Sequence, residues 1–303
     1  MKIILVVLEK IMALEKLEHV NIEKINLYNA IEIHQVDNLN SYSSLFIVNN
    51  EVIKIYTDRY DKVKFNIINL KQLIKKKKYL SKIKELVLPN QLINKENQVI
   101  GFTMPYIKGL TLEEIINNNL YTSEQIKEIF LKILKVIDEL ETLPFNFCLA
   151  DLHEKNVIID STNSINLIDC DGFVVDNSQM IIDNKIIMGK YLNRNYTEEE
   201  LKNVNTSGDY VCLLCMIINY LFKNRFSSIE EINEFKKYIH DEYLDNLIHR
   251  ILNIKSFKLT KKDIEILFNN INYYQENLKI YNDNMREKLE KELLRVRKMK
   301  LVK

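Results

Sequence analysis

Glycine, proline and tryptophan are scarce in this chain: five, three and none in 303 residues. Isoleucine, asparagine and lysine are abundant instead, a bias we read as codon usage rather than function. No apolar run approaches the ~20 residues a membrane-crossing helix needs. The opening stretch Ile3 to Leu8 runs straight into Glu9 and Lys10, too short for a span and a poor secretory signal. The four cysteines, Cys148, Cys170, Cys212 and Cys215, suggest no disulfide framework, so a reducing, cytoplasmic compartment is expected. Cys212 and Cys215 fall in a helix predicted to be buried, Val211 to Leu221, as small core residues rather than zinc ligands. Neither sign of charge dominates: 43 Lys and Arg stand against 42 Asp and Glu, which gives no general push toward nucleic acid or membrane. Lys75 to Lys78 form a basic run without interleaved aromatics, the mark of a solvated helix face. There is no internal repeat. With 47% hydrophobic and 28% charged residues, the chain has the make-up of an ordinary folded protein, long enough for two lobes or one large domain.

Two short stretches carry chemistry. In Ala150-Asp151-Leu152-His153-Glu154-Lys155-Asn156 an aspartate precedes an asparagine by five residues, and the apolar run Val157-Ile158-Ile159 follows. In Leu167-Ile168-Asp169-Cys170-Asp171-Gly172 another apolar run ends in acids. A hairpin turning through Ser161-Thr162-Asn163-Ser164 would return Asp169 to the neighbourhood of Asn156. That grouping suits phosphoryl transfer: one carboxylate orients a hydroxyl, while a carboxamide and a second carboxylate hold the magnesium that bridges nucleotide phosphates. Asp171 is either a second metal contact or a turn residue before Gly172.

The remaining pattern supplies a frame. Residues 1 to 24 show partial helical spacing at Ile11, Leu14 and Leu17. Leu45 to Val48, a turn at Asn49-Asn50 and Val52 to Ile55 read as a hairpin, with Lys54 on one strand face. Phe65, Ile68, Leu73, Leu80 and Ile83 predict an amphipathic helix over 62–84. A strand at Gln98-Val99-Ile100 follows. Thr111-Leu112-Glu113-Glu114 opens a short helix, and Thr122-Ser123-Glu124-Gln125 a longer one with Ile126, Ile129, Ile133, Ile137 and Leu140 on one face. Residues 173–207 are polar and irregular, and helices continue to about 272. The charged segment from Gln275 has a narrow apolar stripe at Leu278, Met285, Leu289, Leu293 and Val296.

The motifs together resemble the protein-kinase-like superfamily. Asp151-Leu152 through Asn156 resembles its catalytic loop and Asp169-Cys170-Asp171 its metal motif. Glu51 to Tyr56 is similar to the strand bearing the nucleotide-binding lysine, Gly101 to Gly109 to the inter-lobe hinge, and Gly208-Asp209-Tyr210-Val211 to the start of the helix that anchors the catalytic loop. The resemblance covers roughly residues 40–270. It departs from the pattern in four places. Leu149 and Ala150 replace the usual His-Arg; His153 stands where a phosphate-contacting lysine is usual; Asn40-Ser41-Tyr42-Ser43-Ser44 lacks glycine; and no acid occurs between Lys62 and Lys84, where a glutamate partner for the lysine is expected. The Asp-Leu-His segment and the paired aspartates are closer to aminoglycoside and choline phosphotransferases.

The resemblance implies an α+β, bilobal kinase-like fold with a small β-rich N-lobe and a larger helical C-lobe. Its boundaries would be an extension at 1–24, N-lobe 25–104, C-lobe 105–272 and a helical tail 273–303. It implies ATP and Mg2+ as cofactors and transfer of the gamma phosphate to a hydroxyl, foremost on protein Ser or Thr, with a protein substrate or partner. Asp151 and His153 would be catalytic, with Asp209 tethering the catalytic loop. Lys54, Ser41, Tyr42, Ser43, Met104 and Tyr106 would contact nucleotide, and Asn156, Asp169 and Asp171 the metal. Asn66, Asn69 or Gln72 could offer Lys54 a carbonyl in place of the missing acid. Two alternatives stand beside this: a small-molecule phosphotransferase, and a pseudokinase scaffold that binds a protein partner.

Overall fold

The computed structural model describes residues 31–32, 43–56, 60–95, 98–176, 206–223, 239–251 and 256–301. Ser41, Tyr42, the expected N-terminal extension and residues 177–205 lie outside the described residues. The fold is mixed α+β, and its described residues fall into two compact units. The first gathers those of Met1–Leu112, Leu143–Leu149 and Lys155–Ile181; the second gathers those of Glu113–Thr142, Ala150–Glu154 and Ile182–Lys303.

The first unit is built on an antiparallel sheet. Its strands are β1 (Ile31–Glu32), β2 (Ser43–Val48), β3 (Glu51–Tyr56), β4 (Gln91–Lys95) and β5 (Gln98–Pro105), in the order β1-β2-β3-β5-β4. The β2–β3 hairpin forms as its sequence predicts, with Val48 opposite Glu51. Its two turn residues, Asn49 and Asn50, have φ of 49° and 66°. That pair of left-handed conformations is the turn whose twist matches a hairpin, and asparagine enters it more readily than other residues with a Cβ. A chain poor in glycine uses asparagine again at Asn119 and Asn163, both at positive φ.

Two of the few glycines are required by close approach. A Cβ on Gly101 would sit 2.2 Å from the Lys54 carbonyl, and one on Gly109 2.2 Å from the Ile159 carbonyl. Strand β3 is central, and Val52, Ile53, Ile55 and Tyr56 are all buried. Phe46, Ile53 and Ile55 form a cluster with Val48 and Ile93 against it.

Helix α1 (Tyr60–Leu80) follows β3. Its buried residues are Ile67, Asn69, Leu70, Leu73 and Leu80, while Ile68 is only half-buried. The predicted stripe was therefore partly misregistered, because a buried asparagine interrupts the hydrophobic pattern. The Lys75 to Lys78 run is not wholly solvated either. Lys76 pairs with Asp176 at 2.9 Å and lies 4.6 Å over the Phe145 ring, and Lys77 donates to the Pro89 carbonyl at 2.7 Å.

Short strands complete this unit: β6 (Gly109–Thr111), β7 (Phe147–Cys148), β8 (Val157–Asp160), β9 (Ile165–Leu167) and β10 (Val174–Val175). They pair as β6-β8-β9 and β7-β10, all antiparallel. The Asp160 carboxylate ties the β8–β9 turn. It accepts from Thr162 Oγ1 at 2.6 Å, Thr162 N at 2.8 Å and Ser164 N at 3.0 Å.

The second unit is helical. Helix α2 (Leu112–Asn117) precedes α3 (Ser123–Glu141), which starts where expected and whose Thr122 and Gln125 form a capping box. Ile126, Ile129, Ile133, Ile137 and Leu140 are buried as the spacing predicts. Helix α4 (Thr206–Phe222) is apolar nearly all round and buried nearly all round. Cys215 is buried and Cys212 half-buried within it, both as free thiols. Helices α5 (Glu242–Ile251), α6 (Lys261–Asn269) and α7 (Ile271–Leu301) follow. Phe130, Tyr220 and Phe268 join α3, α4 and α6 through ring contacts of 5.7 to 6.1 Å.

The charged C-terminal segment continues the helix that begins at Ile271. Tyr274, Leu278 and Tyr281 bury along it at i, i+4 and i+7. Tyr274 packs edge-on against Phe222 at 5.2 Å and donates to Asp241 Oδ2 at 2.5 Å. No helix among the described residues is long and apolar enough to cross a membrane.

The hydrogen bond from Thr162, opposed by burial and reinforced by those from Ser164, Thr162 N and Asn166, holds the Asp160 carboxyl at about 2, below its ordinary 3.8. Its native value is depressed, so its contribution to stability is present above pH 3.8 and is lost as pH falls through about 2. An NMR titration should place the Asp160 midpoint near 2. Asp160→Asn should be less stable than the parent at pH 6, with the gap closing toward pH 2.

Candidate functional site

Strand periodicity puts Lys54 and Tyr56, two residues apart on β3, on one face of the sheet. Helix periodicity puts Asn66 and Asn69, three apart on α1, on one face of the helix. All four side chains converge on a single residue, Asp171, in the one-turn 3-10 helix Cys170–Gly172. Lys54 Nζ donates to Asp171 Oδ1 at 2.8 Å. Tyr56 OH donates to Oδ2 at 2.8 Å, and Asn66 Nδ2 to the same oxygen at 3.1 Å. Asn69 Nδ2 reaches the Asp171 carbonyl at 3.4 Å. The Asp171 side chain is 1% exposed.

Lys54 has a second carboxylate partner, Asp169 Oδ1 at 2.5 Å, and that side chain is 36% exposed. Asp169 has φ 64°, which turns the chain out of β9 and into the 3-10 turn. Gly172 N donates to its carbonyl at 3.0 Å. Phe173, just beyond, packs on Phe147 at 5.6 Å, and Val174 and Val175 pair with Cys148 and Phe147. The turn carrying both acids is therefore pinned at either end.

Burial opposes the Lys54 charge, but Asp169 and Asp171 outweigh it and hold the ammonium above its ordinary value. Burial pushes the Asp171 carboxyl up; the Lys54 ammonium pulls it down, and the Asp169 charge adds to the push. Burial also raises the Tyr56 phenol, helped by the facing Asp171 carboxylate, which keeps it a donor. The group thus has two carboxylates for one ammonium, with the surplus on the more exposed Asp169.

Asn156 ends a 3-10 turn, Glu154–Asn156, that leads into β8. The register sets Val157 opposite Leu167, and the Asn156 carbonyl accepts from Ile168 N at 3.0 Å. Asp169 follows at once, so the hairpin brings Asn156 beside the acidic turn as its sequence predicts. Ser43 opens β2 opposite Tyr56. Met104 is buried on β5 opposite Val52, and Tyr106 N donates to the Asn50 carbonyl at 3.0 Å.

In the second unit, Asp151 and His153 occupy the bend before that 3-10 turn, with Asp151 Oδ1 3.7 Å from His153 Nε2. The preceding residue, Ala150, has φ 61°, a strained conformation for a residue with a Cβ. Its N–H donates to Asp209 Oδ1 at 3.1 Å, and Asp209 is 0% exposed on α4. The expected tether by Asp209 is in place.

No family model matches the chain, and no curated protein matches its sequence.

The expected substitute partners of Lys54 need correcting. Asn66 and Asn69 offer it no carbonyl; their amide groups serve Asp171, and Asp171 serves Lys54. Tyr56 went unnoticed in the sequence, although its place two residues beyond Lys54 was the available signal. Among the described residues no group of three or more His, Cys, Asp and Glu side chains is arranged to hold a metal ion. The candidate set of Asn156, Asp169 and Asp171 has two carboxylates and a carboxamide, oxygen donors of the type magnesium takes when phosphates and water complete its shell.

Replacing Lys54 by methionine leaves Asp171 buried without its counter-charge, and should cost about 3 kcal/mol at pH 7 by urea denaturation. The deficit should shrink in acid, because the Asp171 carboxyl, already raised by burial, then takes up a proton. On the alkaline side the Lys54 contribution in the parent is kept up to pH 10.5, its ordinary value, and fades as pH rises through the higher native value.

Proposed function

We propose that this chain has a bilobal kinase-like fold and moves the gamma phosphate of ATP, with Mg2+, to a hydroxyl, foremost of Ser or Thr on a protein. One observation carries the reading. Lys54 reaches Asp169 from a strand 115 residues earlier, while the β8–β9 register places Asn156 beside that same aspartate. A cation, a carboxylate and a carboxamide are thereby grouped from three separate stretches of chain, with negative charge in excess. The donor types fit a magnesium–nucleotide complex. Asn156 and Asp169 would hold the ion, and Lys54 the alpha and beta phosphates. Bound metal would neutralise charge on the phosphates.

The protein's own part is positioning. Asp151, five residues before Asn156 in the chain, is assigned to orient the acceptor hydroxyl. His153 donates a hydrogen bond to phosphate. Asp209 fixes the Ala150 turn from which Asp151 projects. Met104 and Tyr106 are assigned to the nucleotide base. We place the protein in the cytoplasm.

Incubation with gamma-labelled ATP and Mg2+ tests this, with label followed in protein, in added small alcohols and as free phosphate. Label should appear in protein, and Asp169→Asn or Asp151→Asn should lower the rate by about 100-fold or more. Label confined to a small alcohol would move the chain to the small-molecule phosphotransferases. Absence of both transfer and ATP binding would overturn the proposal in favour of a scaffold.

A further inference from the structure

We propose that Asp171 is not a metal ligand but the fixed counter-ion that positions Lys54, standing in for the acid that α1 lacks after its second residue, Asp61. This rests on the phosphotransferase reading of the same site. Three observations carry it. First, Asp171 is 1% exposed, whereas Asp169, the other partner of Lys54, is 36% exposed. Second, both Asp171 oxygens are engaged: Oδ1 by Lys54, and Oδ2 by Tyr56 and Asn66. A magnesium ion needs an oxygen at about 2.1 Å in near-octahedral geometry with waters or phosphates around it, and at a side chain 1% exposed it would have to crowd or displace these donors. Third, the face of α1 turned to the site carries amides, Asn66 and Asn69, and both use their N–H groups toward Asp171. A helix built to hold the lysine directly would carry an acid there. A helix built to hold a carboxylate would carry donors, as this one does.

The two partners of Lys54 therefore divide the work. Asp171 keeps the ammonium charged and in place at all times. Asp169, more exposed and bound to Lys54 by one oxygen, is the partner that can turn to a metal without leaving Lys54 unpaired. Asp171 is then a positioning residue, acting through Lys54.

A charge swap tests this. Asn66 Nδ2 and Asp171 Oδ2 are 3.1 Å apart, so Asp171→Asn combined with Asn66→Asp moves the carboxylate from turn to helix with little change of shape. Two readouts need no turnover: urea stability, and the acylation rate of Lys54 by an amine-reactive reagent followed by mass spectrometry. The others are ATP affinity and the Mg2+ concentration at half-saturation. Asp171→Asn should speed Lys54 acylation and weaken ATP binding by about 10- to 100-fold, with half-saturating Mg2+ unchanged. The double variant should restore most of both losses. A rise in half-saturating Mg2+ that the swap does not relieve would overturn the proposal and make Asp171 a metal ligand.

Tyr56→Phe, a milder change, guards against failure of Asp171→Asn to fold. It frees Oδ2 of one donor, and half-saturating Mg2+ should again stay constant; a fall would count against the proposal. If the parent binds no ATP, the phosphotransferase reading fails alone. The swap's effect on Lys54 acylation and stability then still decides the ion pair, and no rescue there would overturn it.

Discussion

A charged carboxylate with 1% exposure is tolerable only where donors surround it, and the site is organised by meeting that demand for Asp171. Lys54 and Tyr56 must share a face of β3, so the register of that strand is constrained. Asn66 and Asn69 must share a face of α1, so the rotation of that helix is constrained as well. The 3-10 turn must present Asp171 inward, and Asp169 accordingly takes a left-handed conformation. A one-residue slip of β3 would turn Lys54 and Tyr56 to the opposite face together. Sheet, helix and turn are thus fixed relative to one another by one buried ion and its partners. The apolar packing of Phe46, Ile53 and Ile55 supplies cohesion without setting that register so sharply.

Much of this frame was legible in the sequence, for identifiable reasons. The two hairpins were readable because each joins apolar runs through short polar turns, Asn49-Asn50 and Asp160 to Ser164. Helix α3 was readable because its capping box and its isoleucines at helical spacing agree. The Asp209 tether was expected only from the resemblance of Gly208-Asp209-Tyr210-Val211 to the anchoring helix of kinase-like proteins. The grouping of Asn156 with Asp169 followed from hairpin register alone, since strands of known length meeting at a known turn fix which residues end up side by side.

What escaped notice was the polar interior. On α1 the expected stripe held at Leu73 and Leu80 and missed at Ile68, because Asn69, a residue normally solvated, is 0% exposed. Hydropathy counts an asparagine as surface whether or not a partner waits for it, so the pattern was displaced onto Ile68 and away from Ile67 and Leu70. The partner of Lys54 escaped for a related reason. A helix acid is the usual partner of such a lysine, but here the acid lies 117 residues downstream, and the helix holds its hydrogen-bond donors. Such an exchange is visible only once both elements are seen around the same lysine. The apolar stripe expected from Gln275 onward included Leu278 but not Tyr274 and Tyr281, which bury beside it, because hydropathy does not count tyrosine as apolar.

Cys170 lies between the two aspartates and is 0% exposed. Burial, reinforced by Asp171, holds its thiol well above the ordinary cysteine range despite the nearby Lys54 ammonium. Alkylating agents and peroxides attack the thiolate of an accessible cysteine, and Cys170 presents neither property. The residue at the centre of the acidic turn is therefore a chemically silent spacer in the native state. Its labelling by a thiol reagent would report opening of the turn, and so would serve as a clock for how often the Lys54–Asp171 pair comes apart.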